Sequence, residues 1–250
     1  MENIAKEKFT IVINDLNLLD NVKSKLLSWL PSSLPNELSI ICTTNDDDMV
    51  QTAELLGWNV KEMPLFEQEG ARLLINEYLH SYGKKLSTAQ FDNFMSSVVI
   101  KYPGQLRFVV TFLINCGRFD NLDYLIEDIS NIGEIGDIYQ YVYNYLIEEY
   151  SSQERRTIHI VLGLVCCCNI SLSERECFEL SRRITPCTAI EWSHLCRFFE
   201  QFYIIKGDYW NIRNEELQKF VDCLLSEEER RLSYSLLGDY FFEQLKTDNN

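Results

Sequence analysis

The chain has 250 residues, 46% of them hydrophobic, and a formal net charge of -15 from 38 acidic and 23 basic side chains. That charge excludes functions resting on phosphate neutralisation, because nucleic acid and anionic lipid surfaces would both be repelled. No apolar run reaches the roughly 18 to 20 residues that span a bilayer, and Met1 to Lys8 has neither a signal h-region nor an Arg-rich presequence, so a globular cytoplasmic protein without membrane insertion is expected.

The first element is an apolar run, Phe9 to Ile13, that passes into Asn14, Asp15, Leu16 and Asn17. After Pro31 and Pro35 a second run, Leu38 to Cys42, passes into Thr43, Thr44 and Asn45. Both read as buried strands with polar carboxyl ends, the arrangement in which P-loop NTPases present Mg²⁺-handling carboxylates and a γ-phosphate sensor. The P-loop itself is missing from this sequence. Gly83-Lys84-Lys85 has no earlier glycine at the required spacing and no preceding strand, so nothing here cradles phosphates. The Asp46-Asp47-Asp48 run reads as a solvated loop without the spacing of an EF-hand. Gly57 to Leu65 alternates and ends after Pro64, which predicts one more short strand.

Helices follow. Ala71, Leu74, Ile75, Tyr78 and Leu79 share a helical face, and Gly83 supplies the residue just past its end. Ser87 with Gln90 predicts a capping box for a helix running through Phe91, Phe94 and Val98, broken at Tyr102-Pro103-Gly104. Leu106, Val109, Val110 and Leu113 form a face that closes at Gly117, and Leu122, Leu125, Ile126 and Ile129 form another that ends near Gly133. Residues 66–132 therefore read as a helical bundle.

The second half opens with an amphipathic helix carrying Ile138, Tyr141, Val142, Tyr145 and Leu146. Ser151 with Glu154 and Ser173 with Glu176 cap the next two helices, and a fourth surrounds Ile190 to Phe199. Phe202 to Arg213 reads as two strands joined by Gly207-Asp208, a favourable hairpin turn. Helices followed by a hairpin predict a winged helix over residues 133–222. DNA binding does not follow, since residues 135–215 hold eight Lys/Arg against eleven Asp/Glu. Ser226 and Glu229 cap a closing helix over 223–250, with Leu232, Leu236, Leu237, Tyr240 and Phe241 on its apolar side; it reads as packing or as the start of a helical array.

The nine cysteines give no metal or disulfide pattern: Cys166-Cys167-Cys168 are consecutive, no C-x-x-C pair exists, and free thiols packing as small hydrophobes are expected. His80, His159 and His194 are isolated and read as ordinary imidazoles. His194 and Cys196, two apart on a helix, would point away from each other. No paired carboxylates form an acid/base couple. The fold class that emerges is mainly α with a small α/β part.

The order strand, W-L-P-x-x-L-P (Trp29 to Pro35), strand, L-G-W (Leu56 to Trp58), helical bundle, Y-P-G-Q-L (Tyr102 to Leu106), winged domain resembles the later two thirds of a STAND (NACHT-type) NTPase module. It is most similar to the nephrocystin-3-like NACHT proteins, in which tetratricopeptide repeats follow the module. The resemblance implies that residues 1–65 are a remnant of the NTPase parallel sheet, with Walker B as the first strand and sensor 1 as the second. It further implies that 66–132 are the lid and that the winged domain reports nucleotide state.

Carried over position by position, the chemistry is eroded. Asn14 and Asn17 stand where the resemblance implies acids that hold Mg²⁺ and orient water, with Asp15 the lone carboxylate between them. An amide ligates a hard cation without bringing charge, and a lost electrostatic group of this kind costs roughly 10²- to 10³-fold in turnover. Asn45 stands where an Arg is often found, beside three Asp that would repel a triphosphate. Pro103 matches the lid proline that contacts nucleotide, and Asn214 stands where a phosphate-sensing His is usual. These six residues form a vestigial nucleotide site, with no catalytic residue and no metal ligand assigned. The resemblance thus implies a non-catalytic regulatory or scaffold module with protein partners. The alternative is part of a nucleotide-dependent switch that handles ATP or ADP with Mg²⁺ only when an upstream segment supplies the P-loop.

Overall fold

A computed structural model describes residues 8–18, 33–168, 171–206, 208–212 and 214–247. The chain divides into two compact units, Met1–Pro64 and Leu65–Asn250. It is mainly helical, with a small two-stranded parallel sheet.

In the first unit β1 (Phe9–Ile13) pairs in parallel with β2 (Leu38–Cys42), from Phe9 opposite Leu38 to Ile13 opposite Cys42. α1 (Asp47–Leu55) follows, and a small core forms from Leu16 and Met49 with Ile13, Cys42 and Ala53. The Asp run is therefore not a loop. Asp46 is the N-cap, its carboxylate accepting from the N–H groups of Asp48 (3.0 Å) and Met49 (3.1 Å), while Asp47 and Asp48 occupy the first turn. Three acids suit that place because the amino end of a helix carries partial positive charge. Gly57 to Leu65 is not a strand either. Among the described residues no neighbouring strand takes up its backbone, and Val60, Met63 and Leu65 are exposed. Of the W-L-P-x-x-L-P segment only Ser33 to Pro35 falls within the described residues.

The second unit opens with α2 (Gln68–Ser81), after which Gly83 takes φ +64°, a conformation that glycine adopts without steric cost. The Ser87–Gln90 capping box starts α3 (Thr88–Phe94), which stops earlier than its apolar spacing predicts. Ser97 then caps a short 3₁₀ turn over Val98–Lys101, and its hydroxyl also reaches the Ile129 carbonyl. α4 (Pro103–Cys116) begins with Pro103 at its first position, where the missing N–H costs no helical bond. α5 (Leu122–Asn131) and α6 (Asp137–Ile147) complete this half.

α7 (Ser152–Cys167), β3 (Leu172–Ser173), α8 (Glu174–Arg182), α9 (Ala189–Phe202), β4 (Tyr203–Lys206) and β5 (Tyr209–Ile212) come next, followed by α10 (Glu215–Leu224) and α11 (Glu227–Thr247). The hairpin pairs Lys206 with Tyr209, and β3 adds to its far side to give an antiparallel order β3-β5-β4. Gly207 and Arg213 lie outside the described residues. Trp192 stacks on Trp210 with ring planes 5° apart, and Phe199 and Tyr203 flank the pair, so the sheet seals one end of the core with aromatic surface.

One continuous core runs from α2 to α11. Phe108 of α4 meets Tyr139 of α6 and Phe202 of α9, and the buried Gln201 amide donates to the Phe108 carbonyl at 2.9 Å. That bond fixes α9 against α4 in a place where an unpaired amide would be costly.

Candidate functional site

The carried-over positions fall in both units. In the first, the carboxyl ends of β1 and β2 are laced together by backbone. The Thr43 N–H donates to the Ile13 carbonyl (3.0 Å), the Leu16 N–H to the Thr43 carbonyl (2.9 Å), and the Asp15 N–H to Thr43 Oγ1 (2.9 Å). This drives Asp15 to φ +54°, a left-handed conformation that Asp and Asn tolerate better than other side chains. Asn14, Asp15 and Asn45 are exposed and Asn17 is half-buried in a 3₁₀ turn. Thr44, the other hydroxyl at the end of β2, accepts from the Asp46 N–H at 3.1 Å. Asp15 is the lone carboxylate at the end of β1, while Asp46 at the end of β2 is committed to capping α1.

In the second unit Pro103 and Asn214 belong to neighbouring helix starts. A Cβ built on Gly104, the residue after Pro103, would lie 3.9 Å from Asn214 Nδ2. Asn214 is the N-cap of α10, its Oδ1 accepting from the Leu217 N–H at 2.8 Å. The buried Tyr139 hydroxyl meets the same amide, accepting from Nδ2 at 3.2 Å, and Gln105 faces it too. Burial pushes the Tyr139 phenol up, so it stays protonated as a neutral partner. Two helix amino ends, two amides and one phenol thus converge. Tyr139 escapes sequence reading because it lies 75 residues from Asn214.

Two of the three histidines have structural duties that sequence reading did not assign. His159 Nδ1 lies 2.8 Å from Glu229 Oε1, and its Nε2 lies 2.6 Å from the Tyr143 hydroxyl. His194 Nδ1 lies 3.1 Å from Glu154 Oε1. Glu154 and Glu229 are the third residues of the capping boxes of α7 and α11, and each gives its second oxygen to a histidine from another helix. Glu176, in the α8 box, gives its spare oxygen to the Tyr240 hydroxyl at 2.9 Å. Cys196 Sγ turns instead toward Glu174 Oε1, and its thiol is pushed up to about 12, chiefly by burial and then by that carboxylate. No Cys–His nucleophilic pair exists between it and His194.

All nine cysteines are free. Cys166, Cys167 and Cys168 are half-buried against the core, and burial raises the thiols of Cys166 and Cys167. Such thiols are poor nucleophiles at neutral pH. Among the described residues no group of three or more His, Cys, Asp or Glu side chains could hold a metal ion. A 60 Å³ cavity lies between the starts of α7 and α9, and an open groove of 330 Å³ lies along α8 and α11 near Arg175, Tyr209 and Tyr240. Neither is lined by the six carried-over positions. No helix among the described residues is long and apolar enough to cross a membrane. No family model matches this chain, and neither does any curated protein.

Proposed function

We propose that the chain is a non-catalytic regulatory or scaffold module derived from a STAND-type NTPase, acting through protein partners. The observation that carries this reading is how the polar side chains at and beside the candidate positions are spent. Thr43 braces the Asp15 backbone, Asp46 caps α1, and Asn214 caps α10 while holding Tyr139. Groups already satisfied inside the protein gain little by turning to a phosphate. No guanidinium or ammonium stands among the six positions to offset triphosphate charge. The family resemblance is supported by element order: a parallel strand pair, a helical bundle, then helices with a three-stranded antiparallel sheet that fits a winged helix. It is also supported by the approach of Asn214 to the helix start that contains Pro103, the two positions expected to share a nucleotide.

The reading predicts that 5 mM Mg-ATP or Mg-ADP leaves the melting temperature unchanged. A ligand present at 100 times its dissociation constant would add about 2.7 kcal/mol of stability, so a shift of several degrees would contradict it.

One observation favours a second reading, a switch completed by another polypeptide segment. Parallel sheets are normally covered on both faces, yet Phe9, Ile11, Val12 and Ile41 are 45 to 60% exposed on a sheet that has two strands among the described residues. A segment bringing a further strand and a phosphate loop would cover them.

A further inference from the structure

We infer that Asn59 to Leu65 is a proteolytic processing site, cut after Lys61 by an endopeptidase that takes a basic residue before the scissile bond. Every residue from 59 to 65 is exposed, Met63 at 87%, and none belongs to a helix, strand or turn. Two backbone bonds bracket the run: the Trp58 N–H donates to the Ala53 carbonyl at 3.0 Å and the Phe66 N–H to the Lys101 carbonyl at 2.9 Å. Between them no backbone N–H has a partner among the described residues. A protease needs a segment it can draw out of the fold, and susceptibility follows the burial and hydrogen bonding of the backbone affected. Here the segment gives up neither a buried side chain nor an internal hydrogen bond.

The place of the segment gives the cut its consequence. It joins the two compact units, whose division falls after Pro64, and exposed segments of this kind are where domain boundaries lie. The hydrophobic core of the second unit starts with Phe66 and runs to Phe241, so a chain beginning at Glu62 keeps all of it. Hydrolysis breaks the amide between Lys61 and Glu62, and one water supplies the carboxylate left on Lys61 and the amino group left on Glu62. That single irreversible step severs the helical body from the sheet and its strand-end residues while leaving the body whole. Backbone order selects Lys61 over other basic residues. Outside the helices and strands, the described lysines and arginines of the second unit are Lys84, Lys85, Arg118 and Arg183. The amides of Lys84, Arg118 and Arg183 are all bonded, and Lys85 lies between the bonded amides of Lys84 and Ser87.

Limited digestion of the full chain under native conditions tests this, with trypsin and, separately, with a glutamate-specific endopeptidase, the fragments being read by intact mass and N-terminal sequence. Trypsin is expected to leave a persistent body that begins at Glu62, and the second protease one that begins at Met63, each unfolding cooperatively on heating. Lys61→Gln changes an exposed side chain and should slow the tryptic division by about tenfold or more, since the remaining sites in the body need local opening; it should leave the Met63 fragment unchanged. A persistent tryptic body that begins after Arg72, Lys84 or Lys85 overturns the proposal, because backbone inside the helical body would then open before this segment. Resistance of the Lys61 bond under conditions that nick the body also overturns it. So does a fragment beginning at Glu62 that melts without cooperativity, since the cut would then release no folded unit.

Discussion

Tyr203 lies wholly inside the molecule, with its ring against Phe199 and Trp210 and its hydroxyl the one buried side-chain polar atom without a partner among the described residues. Burial, with Cys177 and Cys166 nearby, drives its phenol well above the ordinary value, so the group is a neutral hydroxyl with nowhere to donate. An unmade buried hydrogen bond costs about 1 to 3 kcal/mol, and phenylalanine has the same shape without that cost. Tyr203→Phe is therefore expected to raise stability by about 1 kcal/mol in urea unfolding; a loss of stability would mean the hydroxyl has a partner. Glu229 makes the opposite case, a polar group fully engaged. Burial works against its charge, but the Ser226 hydroxyl and backbone donors and His159 outweigh it, so its carboxyl sits below the ordinary carboxylate value. A carboxyl lowered by folding contributes stability that is fully present above its unfolded value and is lost as pH falls through the folded one. The gap between wild type and Glu229→Gln should therefore be widest near pH 7 and close below the usual value of 4.5, as measured by unfolding at pH 7 and pH 3. A gap independent of pH would remove the charge from the explanation.

Elements are joined by these same capping carboxylates. His194 of α9 reaches the cap of α7, His159 of α7 the cap of α11, and Tyr240 of α11 the cap of α8, so each helix start doubles as an attachment point for a neighbour. The α7–α11 contact depends also on close approach. A Cβ on Gly163 would stand 2.3 Å from Ser233 Oγ, which is buried and bonded to the Glu229 carbonyl. Gly163→Val should cost about 2 kcal/mol by overpacking, and adding Ser233→Gly should recover part of it in a double-mutant cycle. A neutral Gly163→Val would mean that α11 does not lie on α7 at this glycine.

These starts were legible in the sequence because a capping box is written in four consecutive residues: Ser87 with Gln90, Ser151 with Glu154, Ser173 with Glu176, and Ser226 with Glu229 all cap as their spacing predicts. What long-range contact decides was not legible. Gly57 to Leu65 has strand-like alternation but no partner strand among the described residues, Leu172–Ser173 is too short to signal a strand that exists only by pairing with β5, and α1 was hidden by an acidic run that looks like a loop. α10 was missed as well, although Asn214, Leu217 and Val221 carry a cap and an apolar spacing that could have found it.

For the whole molecule, the two compact units divide the candidate positions between a sparse sheet and a dense helical body. The sequence named the six positions by analogy of order; that Thr43 braces the Asp15 backbone and that Asn214 holds Tyr139 follows only from where these partners lie in the fold. Asn214 is instructive, since the position where the resemblance implies a phosphate-sensing residue is bonded to Tyr139, a contact that no local pattern announces. The central claim is that this chain no longer handles nucleotide, and isothermal titration calorimetry of the full chain with Mg-ATP tests it most directly. The expected result is no saturable heat up to millimolar nucleotide; a one-site isotherm with micromolar affinity would contradict it.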